Sequence, residues 1–239
     1  MTTETTKSIF FKGVRDAAPF LLVVGPFAVL FGVVATQAGL DAIEALGFSV
    51  AVIAGAAQLT ALQLMLDQAP TLIVLASALA VNLRMAMYSA SLTPYLGQAP
   101  LWKRALVSYF LVDQSYGCSI LAYELHPHWT LRQRLAYFWG TVAPICPFWF
   151  ILTVVGAKLG GSIPDWLALD FAVPITFLAI IAPMLRTRAH VAAALVSVGV
   201  ALLLAWLPYN LGLLVAGMCG MITGAEIERR LVIKGAWQP

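Results

Sequence analysis

Two residues of opposite charge stand inside stretches that are otherwise almost wholly apolar. Arg84 lies in "LAVNLRMAMYSASLTPYLG" (79–97) and Asp113 in "ALVSYFLVDQSYGCSILAYE" (105–124). A guanidinium can grip a carboxylate through two parallel hydrogen bonds, and an aspartate can hold an ammonium or a proton. Amides accompany them: Asn82 beside Arg84, Gln114 beside Asp113, and Gln58 and Gln63 in "IAGAAQLTALQLM" (53–65). Helical positions four and seven apart share a face. Arg84 therefore sits in a stripe with Ser77, Tyr88 and Ser91, extended by Tyr95 if the helix continues, while Tyr109 and Tyr116 share a face with Asp113.

This pattern supports two readings of Arg84. Arginine near a helix end can snorkel to the membrane surface. About eight residues separate Arg84 from Thr93–Pro94, which puts it roughly 12 Å inside that end at 1.5 Å per residue. Snorkelling accounts for the charge but not for Asn82 or the hydroxyl stripe. The other reading pairs Arg84 with Asp113, because a charge at the bilayer centre costs about 2.5–3.5 kcal/mol on insertion scales. Such a pair can be a structural staple between helices, or a proton-responsive element, since only a neutral Asp is cheap to bury. Gln58 divides the same way. A helix broken at Gly55 would let Gln58 and freed backbone groups meet a carboxylate or an ammonium. An unbroken one would make a Gly/Ala packing face with Gln58 bonded across helices.

The elements that must position these residues follow from composition. Of 239 residues, 61% are hydrophobic and 10% charged, with a mean hydropathy of +0.89. A soluble domain is about 25% charged. The chain is expected to be an all-α integral membrane protein, a bundle of about 7–8 transmembrane or re-entrant helices in one membrane domain spanning 1–239. Within it, 1–16 would be a cytoplasmic N-terminal segment, 17–224 the bundle and 225–239 a cytoplasmic tail. A net charge of +3 without a basic run interleaved with aromatics gives no nucleic-acid partner. Cys118, Cys146 and Cys219 lie in apolar segments without metal spacing, and His126 and His128 read as an interfacial loop, so no metal is expected. The chain has no GxxxxGK[ST], HExxH or GxSxG, so neither that ATPase chemistry nor those hydrolase mechanisms are expected; it reads as a non-enzyme without a cofactor.

Eight apolar segments cover 17–38, 45–66, 70–92, 105–124, 135–156, 168–185, 190–206 and 208–224. Eight full spans with the N-terminus inside would leave Lys103–Arg104 external, against the positive-inside rule. Treating 45–66 and 105–124 as re-entrant or broken hairpins brings every basic cluster inside, leaving six full spans. Either topology makes these two polar segments line the pathway. A faint repeat lays 33–50 over 154–173, Val33–Val34 meeting Val154–Val155, as in transporters built from duplicated halves. Prolines 26, 144, 147, 174, 183 and 208 predict kinks, and "GAKLG" (156–160) and "GMITG" (220–224) predict close helix packing.

The order of "FKGVRDAAPF", "LFGVVA", "GAAQLTALQLM", "VNLRMAMYSASL", "LVDQSYG" and "LDFAVPITFLAIIAP" resembles the AzlC-like branched-chain amino acid permeases. The resemblance implies a bacterial inner-membrane exporter of valine, leucine, isoleucine and related amino acids, working with a small AzlD-like membrane subunit. By motif it marks Gln58, Asn82, Arg84 and Asp113, with Tyr88 and Gln114 added as pathway neighbours. The family form expected after "NLR" is His, so Met85 is a departure. The competing expectations are a non-transporting scaffold whose charges dock the partner, and a passive channel for small solutes.

Overall fold

The computed structural model describes residues 5–160, 185, 187–207 and 211–233, and every regular element among them is helical. The predicted segment 168–185 lies outside them except for Leu185, as do Pro174, Pro183, Arg186 and Pro208. Among the described residues, four helices are long and apolar enough to cross a bilayer: Thr6–Gln37, Thr71–Leu96, Leu131–Gly160 and Leu211–Ile233. The chain is thus an all-α membrane protein. It forms two compact units, residues 1–62 with 81–167, and 63–80 with 168–239.

In the first unit, α1 (Thr6–Ala17) passes through a 3-10 turn at Ala18–Phe20 into α2 (Leu21–Gln37). The helix begins well before the predicted start at 17, because α1 is amphipathic. Its polar face carries Lys7, Lys12, Arg15 and Asp16, which hydropathy discounts, while Ile9, Gly13 and Ala17 are buried. α3 (Ala42–Ala51) starts at a capping box, in which the Asp41 carboxylate accepts from the Glu44 amide at 2.7 Å and the Glu44 carboxylate from the Asp41 amide at 2.8 Å. Then come α4 (Gly55–Leu66) and α5 (Thr71–Leu96), whose residues from 63 to 80 belong to the second unit, followed by α6 (Leu101–Tyr109), α7 (Asp113–Leu125) and α8 (Leu131–Gly160).

The 6–37 helix and α8 form the spine of this unit, and glycine sets their separation. A methyl group on Gly13 would lie 3.1 Å from Gly140, and one on Gly25 3.1 Å from the Phe148 ring. Farther along, a methyl on Gly32 would collide with the Thr153 carbonyl, and Gly160 faces Val33 and Thr36. These contacts rise together along both helices, so the two run parallel. Thr36 donates to the Ala157 carbonyl at 3.0 Å, which satisfies a hydroxyl in an apolar setting. The register that lays Val33 over Val154 also lays Pro26–Phe27 over Pro147–Phe148. Matching helices that run in the same direction are what a parallel duplication would place side by side. The remainder of that repeat falls on residues outside the described set.

Neither polar segment is a spanning helix. Residues 52–54 separate α3 from α4, and 110–112 separate α6 from α7. α3, with 10 residues, and α6, with 9, each reach only about 15 Å, half a hydrocarbon core. Leu96 and Ala99, before α6, pack in one core with Tyr123, near the end of α7, with Trp129, in the loop after it, and with Ile9 and Leu135. α6 and α7 therefore leave and return to the end where α1 and α8 begin. The first hairpin enters from the opposite end, where α2 finishes. Gln58 reaches back to Ser49 at 2.9 Å, although residues nine apart in a straight helix stand about 13.5 Å apart. The re-entrant form of both segments is the one adopted. Lys103 and Arg104 consequently share an end with Lys7, Lys12, Arg132 and Arg134.

In the second unit, α9 (Arg188–Leu203) and α10 (Leu211–Ile233) pack antiparallel. Gly220 and Gly224 of "GMITG" face Ala193 and Ser197 of α9, and Ser197 donates to the Ala216 carbonyl at 3.2 Å. α10 continues past the predicted limit at 224, its last turns held by Glu226 bonding Arg229 at 2.9 Å and Arg230 at 2.7 Å.

Candidate functional site

The two hairpin tips meet about halfway along α8. Tyr109, at the end of α6, donates its hydroxyl to the Val50 carbonyl at 2.5 Å, one residue before the end of α3. Ile53 and Val112, one from each break, pack on Ile145 and Trp149 together with Phe27. Gly55 opens α4 directly against the Phe27 and Trp149 rings, where any side chain would collide. Non-helical backbone at this depth is tolerated because protein, rather than lipid, surrounds it.

Asp113 is the first residue of α7. Val112 precedes it in extended conformation, and the Val112 amide donates to the Ser115 hydroxyl at 3.0 Å. A helix start leaves backbone N–H groups without intrahelical partners and carries a partial positive charge, which favours the carboxylate there. Arg84 reaches the same point from the middle of α5, its Nη1 lying 3.1 Å from Asp113 Oδ2. α5 runs through Pro94 to Leu96, so Arg84 lies about 18 Å from that helix end, beyond the reach of a snorkelling side chain.

The pair is neither sealed nor complete. The Arg84 and Asp113 side chains keep 32% and 41% of their surface accessible. Yet Arg84 Nε and Asp113 Oδ1 are cut off from solvent without hydrogen-bond partners; so is Asn82 Oδ1, which stands two residues before Arg84 and therefore about 200° around α5 from it. One donor and one acceptor are left over at the pair. Tyr88, one turn after Arg84, interacts with Asp113 and stacks on Tyr116 at 4.1 Å between centroids and 9° between planes. Tyr116 in turn donates to Ser91 at 3.1 Å. The Arg84–Tyr88–Ser91 stripe is thus one face directed at α7. Gln114 is half-buried beside Asp113.

Gln58 belongs to a different group. Its Nε2 donates to Ser49, and Ser49 Oγ lies 3.2 Å from Thr153 Oγ1 of α8. All three side chains are fully buried, with no charge among them. Sequence reasoning did not single out Ser49 or Thr153. Hydroxyls in apolar helices usually bond their own backbone one turn back, so they give little signal in the sequence.

No group of three or more His, Cys, Asp or Glu residues that could hold a metal ion occurs among the described residues. At the end shared by α1 and α8, Lys12 bonds His126 at 3.0 Å and lies 5.3 Å from the Trp129 ring centre. Tyr137 donates to Asp16 at 2.8 Å. These contacts tie the loop after α7 to α1.

A family model described as AzlC protein matches residues 19–163. The inner membrane protein YgaZ of Escherichia coli (strain K12) is 24% identical over 239 residues, covering 96% of this chain and 92% of that protein. No solved structure matches. The family match contains both hairpins, Arg84 and Asp113, and extends over more than half of the sequence. With that extent of agreement, the chain belongs to the AzlC family and is a transport-related membrane protein.

Proposed function

We propose that the chain is the large subunit of a secondary transporter that exports branched-chain or other small apolar amino acids across the bacterial cytoplasmic membrane. The observation that carries this reading is the incomplete Arg84–Asp113 pair. Its leftover donor, Arg84 Nε, and leftover acceptor, Asp113 Oδ1, call for a ligand bearing an acceptor and a donor together. An amino acid zwitterion has both. Its carboxylate would take Arg84 and the first N–H groups of α7, and its ammonium would take Asp113. The apolar side chain would lie along the rings of Tyr88 and Tyr116.

The basic residues favour a cytoplasmic N-terminus. Lys7, Lys12, Arg15, Lys103, Arg104, Arg132 and Arg134 gather at the end where α1 and α8 begin, while Asp41 and Glu44 lie at the other. One charge moved across 100 mV supplies about 2.3 kcal/mol, enough for roughly a fifty-fold gradient. A small AzlD-like membrane subunit is part of this proposal, drawn from the family resemblance.

Leucine or valine efflux from cells expressing the chain with its small partner tests the reading. Efflux above the empty-membrane rate, lost in Arg84→Ala, is the expected result. Efflux equal to the empty membrane, or unchanged by Arg84→Ala, overturns it.

A further inference from the structure

We infer that the groove between α5 and α6 seats an anionic phospholipid, with its phosphate on Arg104 and one acyl chain against the leucines below. The groove encloses about 290 Å³, close to the roughly 300 Å³ at which ligand pockets begin. Leu92 and Leu96 of α5, Leu111 of the α6–α7 break and Leu135 of α8 make its apolar wall. Arg104, exposed near the start of α6, stands at its mouth.

Charge complementarity names the head group. α6 opens at Pro100 without a side-chain cap, and its first four residues include Lys103 and Arg104 but no acid. A helix start already carries partial positive charge, so two cations there favour an anion beside them. Lys103 lies over the Trp102 ring, 5.2 Å from its centre, and Arg104 lines the groove. Among the described residues, no carboxylate pairs with the Arg104 guanidinium. Basic pockets between helices at a membrane surface hold anionic head groups.

Depth names the bilayer as the source. Trp102 is exposed, and tryptophan gathers at the head-group level of membranes. Leu101 and Leu106 beside it are exposed too, as residues facing lipid are. Ser108 follows Arg104 by four residues, about 6 Å deeper along the helix. Its hydroxyl lies 3.5 Å from Ser89 Oγ of α5, beyond the about 2.5–3.0 Å of a hydroxyl–hydroxyl bond, so neither is committed to the other. A phosphate on Arg104 brings the ester carbonyls, the next acceptors along a phospholipid, toward this level. No carboxylate lines the groove, so an amino acid zwitterion would be matched here at only one of its charges. An acyl chain gains little by leaving tails as apolar as leucine, so the head group sets the selectivity.

The test is the thermal stability of the purified full-length chain in detergent, with phosphatidylglycerol, phosphatidylcholine, glycerol 3-phosphate or leucine added. No flux is read, so a failure here and a failure of efflux are separate results. Phosphatidylglycerol at a hundred times Kd is expected to raise Tm by about 5–10 °C. Phosphatidylcholine should need at least about fivefold more for the same rise. That preference should vanish in Arg104→Gln and persist in Arg132→Gln, which removes an exposed charge at the same end but outside the groove. Ala105→Trp, which fills the groove, should abolish the rise. Equal rises with the two lipids overturn the site, and so does a preference that survives Arg104→Gln or is lost equally in Arg132→Gln. An Arg104-dependent rise as large with glycerol 3-phosphate or leucine overturns the lipid and gives the groove to a soluble anion. A Tm that climbs with protein concentration, except in Ala105→Trp, overturns it in favour of a second copy. If Ala105→Trp does not fold, the Arg104→Gln comparison decides alone.

Discussion

The two hairpins share a plan and differ in chemistry. Each inserts two short helices from one end of the first unit and turns at a three-residue break, and the tips touch through Tyr109 and the Val50 carbonyl. The α6–α7 tip carries a full charge pair that stays partly accessible, while the α3–α4 tip holds a neutral group wholly withdrawn from solvent. Placement explains the contrast. Asp113 stands on the first residue of α7, where the helix start favours an anion, and Arg84 arrives from the neighbouring α5. Ser49 stands in the last turn of α3, pressed on α8 by the close approach of the glycine-lined spine. One tip presents a charge pair, the other a neutral hydrogen-bonded cluster.

The largest effect expected from testing this contrast follows from removing one member of the charge pair. Asp113→Asn or Arg84→Ala should reduce efflux to background. Removing one partner of a buried pair costs about 3–5 kcal/mol, and the accessibility of this pair places its stability loss below that range. The double variant Arg84→Ala/Asp113→Ala should restore expression toward wild type without restoring efflux. A double variant that still exports would reduce the pair to a staple.

Next in size is the spine. Gly140→Val puts a side chain onto the Phe10 carbonyl, and overpacking of this kind costs about 1–3 kcal/mol or more. Both tips should suffer together, seen as lower Tm and lost efflux at once. Wild-type Tm would show that the 6–37 helix and α8 are not packed this closely.

Thr153→Val is expected to act on one tip only. It removes a buried hydroxyl and leaves Ser49 short of a partner, at about 1–3 kcal/mol. Amino acid binding at the other tip, measured at fixed salt on the folded variant, should change less than threefold. A loss as large as that of Arg84→Ala would merge the two tips into one site.

The smallest change is at the contact between tips. Tyr109→Phe deletes one hydrogen bond, worth about 0.5–1.5 kcal/mol. It should lower Tm by a few degrees and change the efflux rate more than the apparent affinity. Unchanged values in both would mean that the tips do not act on each other.

Much of this was legible in the residues because charge and amide groups in apolar segments are expensive and therefore informative. Arg84 and Asp113 were readable as natural partners, and the two polar segments as pathway-lining in either topology, on cost alone. Gln58 was legible as important but not as to its company. Its partners are nine residues back and on α8, and no periodicity connects those positions. α1 was read as a tail because hydropathy averages its polar face with its buried one. Pro94 looked like a helix end because proline lacks an N–H, yet α5 continues to Leu96.

Sequence by itself determined that this chain enters a membrane as helices, that two of its apolar segments carry charge, and that each charge offers the other a partner. It could do so because transfer from water to hydrocarbon depends on side-chain type and helix length alone. Tertiary structure decided that these segments turn back instead of crossing, and that the charged and neutral polar groups separate onto two tips. A reversal and a crossing bury the same residues at nearly the same cost. What selects between them is the packing of Ile53, Val112, Gly55 and Tyr109 against helices far away in the chain.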